Sequence, residues 1–424
     1  MRRAFLTFVV LALVAAEGRP QSDPFAEAIG TIDEATLRTH ENFLASDELE
    51  GRAAGFPGNE KAVTYLVQQV TSYGLKPAGV DGGYTQEFEF QNSGQTRHAK
   101  NVLAVLEGSD PKLKDEFVLI GGHLDHVGRV GQAVGGQKDG AKNGDEIWNG
   151  ADDNGSGTSA ILTVARAFGK GKVRPRRSLI FAWWNAEEAG LKGSAWWAGH
   201  PTRPLEKVTY CLNLDMVGRN PERPMDVEGV KNAEGDRLER IITDACEAEK
   251  LTIKKYDHTN EAMFRSDGVS LLRQGVPATM FFTYWHADYH AVGDHPDKIA
   301  YPNLAKIARS SFRILKETGD LDPGLRINPD TPLGGKPLGL RGEDVSLGEK
   351  GGVKVSYVAP EGAMGKAGVL PNDLIVGFRG KPLSPQRPLA DLWMMAQQTR
   401  GEGPSAVELQ RGGETKTLDV TWSR

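Results

Sequence analysis

The sequence has little cysteine, no excess of positive charge and few long apolar runs. Only two cysteines, Cys211 and Cys246, occur among 424 residues. This number is too small for a disulfide framework, and the two lack the CxxC spacing of a thiolate zinc site, so we expect two buried thiols. The formal net charge of -5 argues against nucleic-acid binding through a basic face. The chain also has no internal repeat.

The one long apolar run lies at the N-terminus. Arg2 and Arg3 precede an apolar stretch over residues 4–16, which is too short to span a membrane comfortably as a helix. This pattern is typical of a secretory signal peptide. We assign it to residues 1–18, with cleavage after Ala16 or Gly18, and an uncleaved anchor is the alternative. The mature protein is therefore expected to be soluble, to have no membrane span, and to be exported to the periplasm or the extracellular space.

Strand-like and helix-like segments alternate over residues 22–318, which predicts an α/β domain with a mostly parallel central sheet flanked by helices. The predicted strands are 101–106, 117–120, 179–184, 208–214 and 278–283, and the predicted helices are 32–45, 57–73, 158–168, 235–249 and 302–317. Proline and glycine are frequent in residues 319–335, which are typical of a linker. Residues 336–424 contain short strand patterns, glycine turns and one helix pattern over 388–399, so we expect a small, separate β-rich domain.

Two adjacent glutamates, Glu187 and Glu188, follow the apolar run 179–184. That run shows no polar alternation and is typical of a buried parallel strand. Burying two like charges is costly, so a cation is expected to meet them. In an open α/β sheet, the crevice at the carboxyl ends of the strands is where ligands bind.

Five segments end predicted strands or fill the loops that follow them, and each one supplies His, Asp or Glu. They are GGHLDHVG (121–128), GADDNGSG (150–157), NAEEAGLKGS (185–194), NLDMVG (213–218) and DYHAVGDHPDKI (288–299). Imidazole and carboxylate ligands without thiolate suit catalytic zinc, with manganese or cobalt as alternatives. Two metal ions bridged by one carboxylate would use all five segments and leave room for a water molecule.

In their order and residue types, these segments resemble the co-catalytic dizinc exopeptidase family, which includes secreted bacterial leucyl aminopeptidases. The resemblance implies that Asp153 bridges two zinc ions, with His123 and Asp215 at one ion and Glu188 and His290 at the other. It also implies that Glu187 is the general base and that the Asp153–Asn154 peptide bond is cis. The implied activity is removal of N-terminal residues from peptide substrates.

Two further residues have expected roles beside these ligands. Asp125 lies two residues after His123 and is expected to accept a hydrogen bond that orients its imidazole. Tyr289, next to His290, is a candidate donor to the oxyanion that develops during hydrolysis. We expect His126 to be a loop residue and the glycine-rich segment 132–145 to form a surface loop near the site.

The sequence leaves alternative functions open. A carboxypeptidase or dipeptidase of the same family would use the same ligands. A glutaminyl cyclase has a similar fold but works with one zinc ion, so the presence of both His123 and Asp215 counts against it. A non-catalytic peptide-binding relative would be expected to lack ligands and the base, and this chain has them all.

The C-terminal segment resembles a bacterial-type PDZ domain. KPLGLRGE (336–343) is similar to the loop that binds a peptide carboxylate, with Leu338, Gly339 and Leu340 at its centre. Residues 351–383 are similar to the strand, turn and short helix that follow in such domains, although Asn372 and Arg379 replace the usual Gly and Asn. The resemblance implies that the groove binds the C-terminus of a partner peptide as an added strand.

Overall fold

The computed structural model describes residues 23–132, 134–142, 144–229, 236–254, 262–325, 338, 340–358, 362–385, 388–399 and 403–422. The predicted signal peptide, Gly339 and residues 326–335 of the predicted linker lie outside the described residues. In the described part of the chain, no helix combines the length and the apolar composition that a membrane crossing needs. Cys211 and Cys246 are buried, free thiols, as expected.

The N-terminal three quarters of the chain contain eight strands and eight α-helices in the described residues. The strands are β1 (Lys76–Pro77), β2 (Thr85–Asn92), β3 (Gln95–Leu106), β4 (Phe117–His123), β5 (Ser178–Trp184), β6 (Val208–Leu214), β7 (Asp226–Gly229) and β8 (Ala278–Phe282). The helices are α1 (Pro24–Gly30), α2 (Glu34–Leu44), α3 (Pro57–Ser72), α4 (Gly157–Lys170), α5 (Lys192–Gly199), α6 (Arg237–Ala248), α7 (Gly268–Leu272) and α8 (Tyr301–Asp320).

These strands form one sheet in the order β1-β3-β5-β4-β6-β8-β7, with β2 paired to β3. The pairs β5–β4, β4–β6 and β6–β8 are parallel, whereas β1, β2, β3 and β7 join antiparallel. The predicted α/β class with a parallel sheet centre is therefore confirmed. The predicted strand 101–106 lies within β3, whereas the antiparallel strands β1, β2 and β7 were not predicted.

The core lies on both faces of the parallel strands. Along β5, Leu179, Phe181 and Trp183 belong to the cluster that packs with α2, α4, α6 and α8. Ile180, Ala182 and Trp184 point to the opposite face, into a smaller cluster that includes residues of α5 and α7. Since successive side chains alternate between two buried faces, a continuous apolar run is what this position requires.

Residues 340–421 contain a second, antiparallel sheet. Its strands are β9 (Leu340–Ser346), β10 (Gly351–Val358), β11 (Leu374–Phe378), β12 (Lys381–Pro382), β13 (Pro404–Arg411) and β14 (Glu414–Thr421), in the order β14-β13-β11-β10-β9 with β12 beside β11. The helices α9 (Ala363–Lys366) and α10 (Pro388–Gln398) complete it. Leu338, Leu340 and Trp393 lie in a core separate from the first two. The expected β-rich C-terminal unit is thus present, and α8 continues to Asp320, slightly beyond the predicted domain end.

Candidate metal centre

The carboxyl ends of four parallel strands bring the predicted residues together. His123 is the last residue of β4, and Asp215 follows β6 directly. Glu187 and Glu188 lie in the loop after β5, and His290 lies in the loop after β8. Because β5, β4, β6 and β8 are neighbours and parallel, all four loops open at the same edge of the sheet.

Asp153 comes from the irregular turn 151–156, which leads into α4, and the Asp153–Asn154 peptide bond is cis, as the resemblance implied. Several buried groups hold this turn in place. Asp294 Oδ2 accepts hydrogen bonds from the backbone N–H groups of Asp152 at 2.9 Å and Asp153 at 3.2 Å. The Asn154 side chain donates to the Leu214 carbonyl at 2.9 Å and accepts from the Met216 N–H at 3.3 Å. The position of the Asp153 carboxylate is therefore set by its surroundings.

The two oxygens of Asp153 face two different groups of ligands. Oδ1 lies 3.2 Å from His123 Nε2, which is 3.4 Å from Asp215 Oδ1. Oδ2 lies 3.0 Å from His290 Nε2, which is 3.1 Å from Glu188 Oε2. One carboxylate is therefore shared between two clusters of nitrogen and oxygen atoms.

The spacing of the atoms within each cluster fits metal coordination. Bonds of about 2.0–2.2 Å to nitrogen and oxygen place the ligands of a tetrahedral zinc ion roughly 3.3–3.6 Å apart, which is close to the distances measured here. In addition, His290 Nε2 is a buried polar atom without a hydrogen bond in the described structure. All five predicted metal ligands belong to the two clusters.

The adjacent glutamates lie in different electrostatic environments. Burial raises the pKa of Glu187 well above its usual value, and the nearby Glu188 and Asp267 carboxylates add to this effect while His123 opposes it. Burial and Asp153 also act to raise the pKa of Glu188, but His290 and His126 outweigh them and lower it. Such divergence separates a proton carrier from a permanently ionised ligand. The clusters include Glu188 and not Glu187, and the role of Glu187 as the base stays a prediction.

Asp125 orients His123 by a different group than expected. The Asp125 backbone carbonyl lies 3.1 Å from His123 Nδ1, whereas its carboxylate is 3.9 Å away. The carboxylate instead accepts hydrogen bonds from the backbone N–H groups of Glu187 at 3.0 Å and Glu188 at 3.3 Å. The expectation that the side chain orients His123 is thus corrected, because the tight loop after β4 turns that carboxylate towards the glutamate pair.

Three contributors to the site were not expected from the sequence. His126 is fully buried, and its Nδ1 lies 3.0 Å from Glu188 Oε1, so it is not a peripheral loop residue. Burial lowers the pKa of His126, which favours the neutral ring as a hydrogen-bond donor to Glu188. The Gly136 carbonyl accepts from His290 Nδ1 at 2.6 Å, and the Ser266 hydroxyl donates to Asp215 Oδ2 at 2.6 Å. The only sequence signal for His126 was its position three residues after His123.

Two further histidines, His286 and His295, flank His290 in the sequence, and both lie outside the two ligand clusters. His286 Nε2 is 3.1 Å from Asp152 Oδ2, and His295 Nε2 is 3.2 Å from Asp145 Oδ2. Asp267 is fully buried, and burial raises its pKa to about 7. These positions support the assignment of His290, rather than His286 or His295, to the site.

A small pocket of about 60 Å³ opens beside the two clusters. Its apolar wall consists of Met216, Ala262, Met280, Phe282 and Trp285. Tyr289 lines the same pocket and its ring contacts the His290 ring, with centroids 4.0 Å apart. Burial raises the pKa of Tyr289, so its hydroxyl remains a hydrogen-bond donor. Arg265 also lines this pocket, with an exposed side chain whose guanidinium lies 5.5 Å from the Trp285 ring centroid.

Comparison with known proteins agrees with this geometry. The chain is 27% identical over 324 residues to leucine aminopeptidase 2 of Arthroderma otae, which covers 69% of this chain and 59% of that protein. It is 29% identical over 212 residues to leupeptin-inactivating enzyme 1 of Streptomyces exfoliatus, covering 49% of this chain and 41% of that protein. The chain thus spans less than two thirds of the length of either relative.

Solved structures share the fold of the N-terminal part. An aminopeptidase from Aneurinibacillus sp. strain AM-1 superposes with a TM-score of 0.54 at 17% identity, over 72% of this chain and 96% of that one. Glutaminyl cyclase of Porphyromonas gingivalis superposes with a TM-score of 0.53 at 18% identity, over 67% of this chain and 98% of that one. The family model described as peptidase family M28 matches residues 101–315, just over half of the chain and all the predicted ligands. The chain therefore belongs to peptidase family M28.

Proposed function

We propose that this protein is an exported, zinc-dependent aminopeptidase that hydrolyses N-terminal residues from peptides. The observation that carries the proposal is the shared Asp153 carboxylate, with one oxygen near His123 and Asp215 and the other near Glu188 and His290. A single metal ion would leave one of these clusters without a cation. Two ions balance the buried carboxylates of both.

When bound, two zinc ions would acidify a water molecule and polarise the carbonyl of the scissile bond. Glu187 lines the pocket beside the ligands, and its Oε2 is 4.0 Å from His123 Nε2. This position suits a carboxylate that accepts a proton from the water and then gives it to the leaving amine. Asp125 holds the backbone of both glutamates and so fixes the direction of the Glu187 side chain.

The remaining pocket residues position the substrate. The Tyr289 hydroxyl would donate to the oxyanion that forms on the carbonyl oxygen. The apolar wall of Met216, Met280 and Phe282 would accept the side chain of the residue that is removed.

A carboxypeptidase or dipeptidase is the second candidate, and Arg265 is the observation that favours it. Among the described residues that line the pocket, Arg265 is the one with a permanently cationic side chain. Guanidinium groups bind carboxylates well, so Arg265 could hold the free C-terminus of a short substrate. A glutaminyl cyclase works with one zinc ion, so the presence of all five predicted ligands in two clusters counts against it.

We further propose that residues 1–18 direct export and that residues 336–424 form a PDZ domain. The antiparallel sheet β9–β14 with α10 packed on β9 and β10 supports the second proposal. Leu338 and Leu340 are buried in the core of this unit.

A purified-protein assay separates these functions. Zinc content is measured first, followed by hydrolysis of leucine p-nitroanilide, an N-acetylated peptide, a C-terminally amidated peptide and the dipeptide Leu-Gly. An aminopeptidase cleaves the anilide and the amidated peptide but not the acetylated one. Cleavage of Leu-Gly alone would support the dipeptidase, and cleavage of the acetylated peptide at its C-terminus would support the carboxypeptidase. No hydrolysis by protein carrying two zinc ions would refute all three.

A further inference from the structure

A second and much larger cleft lies between the two sheets, outside the metal centre. It has a volume of about 1180 Å³ and is lined by β2, α5 and β9. Small-molecule sites usually occupy about 300–1,000 Å³, so this cleft is large enough for a segment of polypeptide.

The edges of strands β2 and β9 face this cleft. Four successive residues of β9, Glu343–Ser346, and five of β2, Glu87–Gln91, line it. Because neighbouring side chains in a strand point to opposite faces, a cavity touched by successive residues sees the strand edge. Among the described strands, β2 pairs only with β3 and β9 only with β10, so both edges present unpaired backbone groups.

The open part of β9 lies beyond the segment that resembles the carboxylate-binding loop. At the start of the strand, α5 approaches closely, since a Cβ atom on Gly199 would lie 3.3 Å from the Gly342 carbonyl oxygen. His200 Nε2 is 3.3 Å from Glu343 Oε2 at the same place. The accessible edge therefore suits the interior of an extended chain better than a free C-terminus.

The charge of the lining indicates the kind of chain that fits. Among the described residues that line the cleft, four carry carboxylates, Glu87, Glu89, Glu343 and Asp344, whereas Lys192 is the one lysine. The His98 ring also lines the cleft and lies 3.5 Å from Glu87 Oε1 and 3.7 Å from Glu89 Oε1, so acidic groups remain in excess. Glu87 and Glu89 are more than half exposed. The aromatic side chains of Phe88, Phe90 and Trp196 lie beside them. Such a surface favours an extended segment with positive charge.

The cleft also touches the segment that follows the catalytic carboxylates. Glu187 and Glu188 line the metal-site pocket, whereas Ala189 and Lys192 line the cleft. The two sites are thus one residue apart along the chain. We propose that the cleft binds the extended, positively charged part of a polypeptide substrate that lies beyond its N-terminal residue, by strand addition to β9. This inference rests on the proposed aminopeptidase function.

The test compares peptides that differ only in distant charge. Leu-Gly-Ser-Gly-(Lys-Thr)₄ and Leu-Gly-Ser-Gly-(Glu-Thr)₄ are hydrolysed beside leucine p-nitroanilide. We expect kcat/KM about five- to tenfold higher for the lysine peptide, mainly through KM, as a few exposed charge pairs would give. The triple variant Glu87→Gln, Glu89→Gln, Glu343→Gln should reduce this ratio to near one and leave anilide hydrolysis unchanged. The matched control Glu27→Gln, Glu34→Gln, on exposed residues of α1 and α2, should retain the wild-type ratio.

Binding is measured separately, so that failure of the proposed function can be recognised. Fluorescence anisotropy with N-acetylated (Lys-Thr)₄ and inactive Glu187→Gln protein does not depend on turnover. An analogue N-methylated at alternate residues lacks the donors for strand addition and should bind at least tenfold more weakly. Equal kcat/KM for both peptides in the wild type, or equal binding of the methylated analogue, would overturn the proposal. Binding of the acetylated peptide without any catalytic advantage for the lysine substrate would assign the cleft to a separate partner and overturn the substrate assignment. If the anilide is not cleaved, the aminopeptidase proposal fails, whatever the anisotropy shows.

Discussion

Single substitutions of the adjacent glutamates, Glu187 and Glu188, should affect turnover and zinc binding differently. Glu187→Gln removes a proton acceptor but no metal ligand, because Glu187 lies outside both ligand clusters. General bases contribute about 10²–10⁴-fold to the rate, which corresponds to roughly 3–5.5 kcal/mol of activation free energy. We expect kcat for leucine p-nitroanilide to fall by that factor while the zinc content stays at two per chain.

Glu188→Gln replaces a carboxylate that lies 3.0 Å from His126 and 3.1 Å from His290. Loss of groups that merely orient ligands costs about 10–100-fold in metal affinity, so loss of a ligand should cost at least as much at this metal site. Both variants are dialysed against buffered zinc and assayed for metal by mass spectrometry and for turnover. Their thermal unfolding shows whether each is folded. Zinc loss in Glu187→Gln, or two retained ions in Glu188→Gln, would refute the division of roles.

Three other substitutions test the surroundings of the site. Tyr289→Phe should lower kcat by about 10²–10³-fold with little change in KM, as for other oxyanion donors, and an unchanged kcat would remove Tyr289 from the mechanism. Asp294→Asn should weaken zinc binding about 10–100-fold, measured by competition with a chelator, because the Asp152 and Asp153 backbone amides lose a charged acceptor. Burial raises the pKa of Glu41 from 4.5 to about 8, so the unfolded chain binds fewer protons between those values and stability falls as pH rises through them, by about 3 kcal/mol at pH 7. Glu41→Gln should make this slope shallower in urea unfolding between pH 5 and pH 8, whereas the raised pKa values of Asp267 and Glu187 keep part of it, and an unchanged slope would contradict this prediction.

The ligands could be predicted from the sequence because the fold places them by a simple rule. His123, Asp215 and the glutamate pair each follow a buried parallel strand, and parallel neighbours align their carboxyl ends. The apolar run before Glu187 was informative because it is buried on both faces. Which of Asp152 and Asp153 is shared came from the family resemblance, and the contacts of Asp153 agree with that assignment.

The supporting contacts could not be predicted because they join segments that are far apart in the chain. Gly136 reaches His290, and Ser266 reaches Asp215, only after the loops have packed. A contact made by a backbone carbonyl, such as that of Gly136, does not depend on the residue type and therefore cannot be predicted from it. The role of the Asp125 carboxylate depended in the same way on the turn after β4, which no spacing rule specifies.

Strand β2 and its turn into β3 were missed for a different reason. The β2–β3 hairpin carries a period-two pattern at residues 87–91, with Phe88 and Phe90 buried between exposed glutamates. The Ser93–Gly94 turn, where both residues have positive φ, completes a recognisable hairpin signal. Strand β2 lacks the continuous apolar run of the buried parallel strands, although it forms one wall of the cleft between the two sheets.

The proposed function requires that two zinc ions share the Asp153 carboxylate. Anomalous diffraction from crystals of zinc-loaded protein, recorded at the zinc absorption edge, tests it directly. We expect two peaks about 3.5–4 Å apart, one on each side of Asp153, with His123 and Asp215 at the first and Glu188 and His290 at the second. A single peak, or two peaks that do not both contact Asp153, would contradict it.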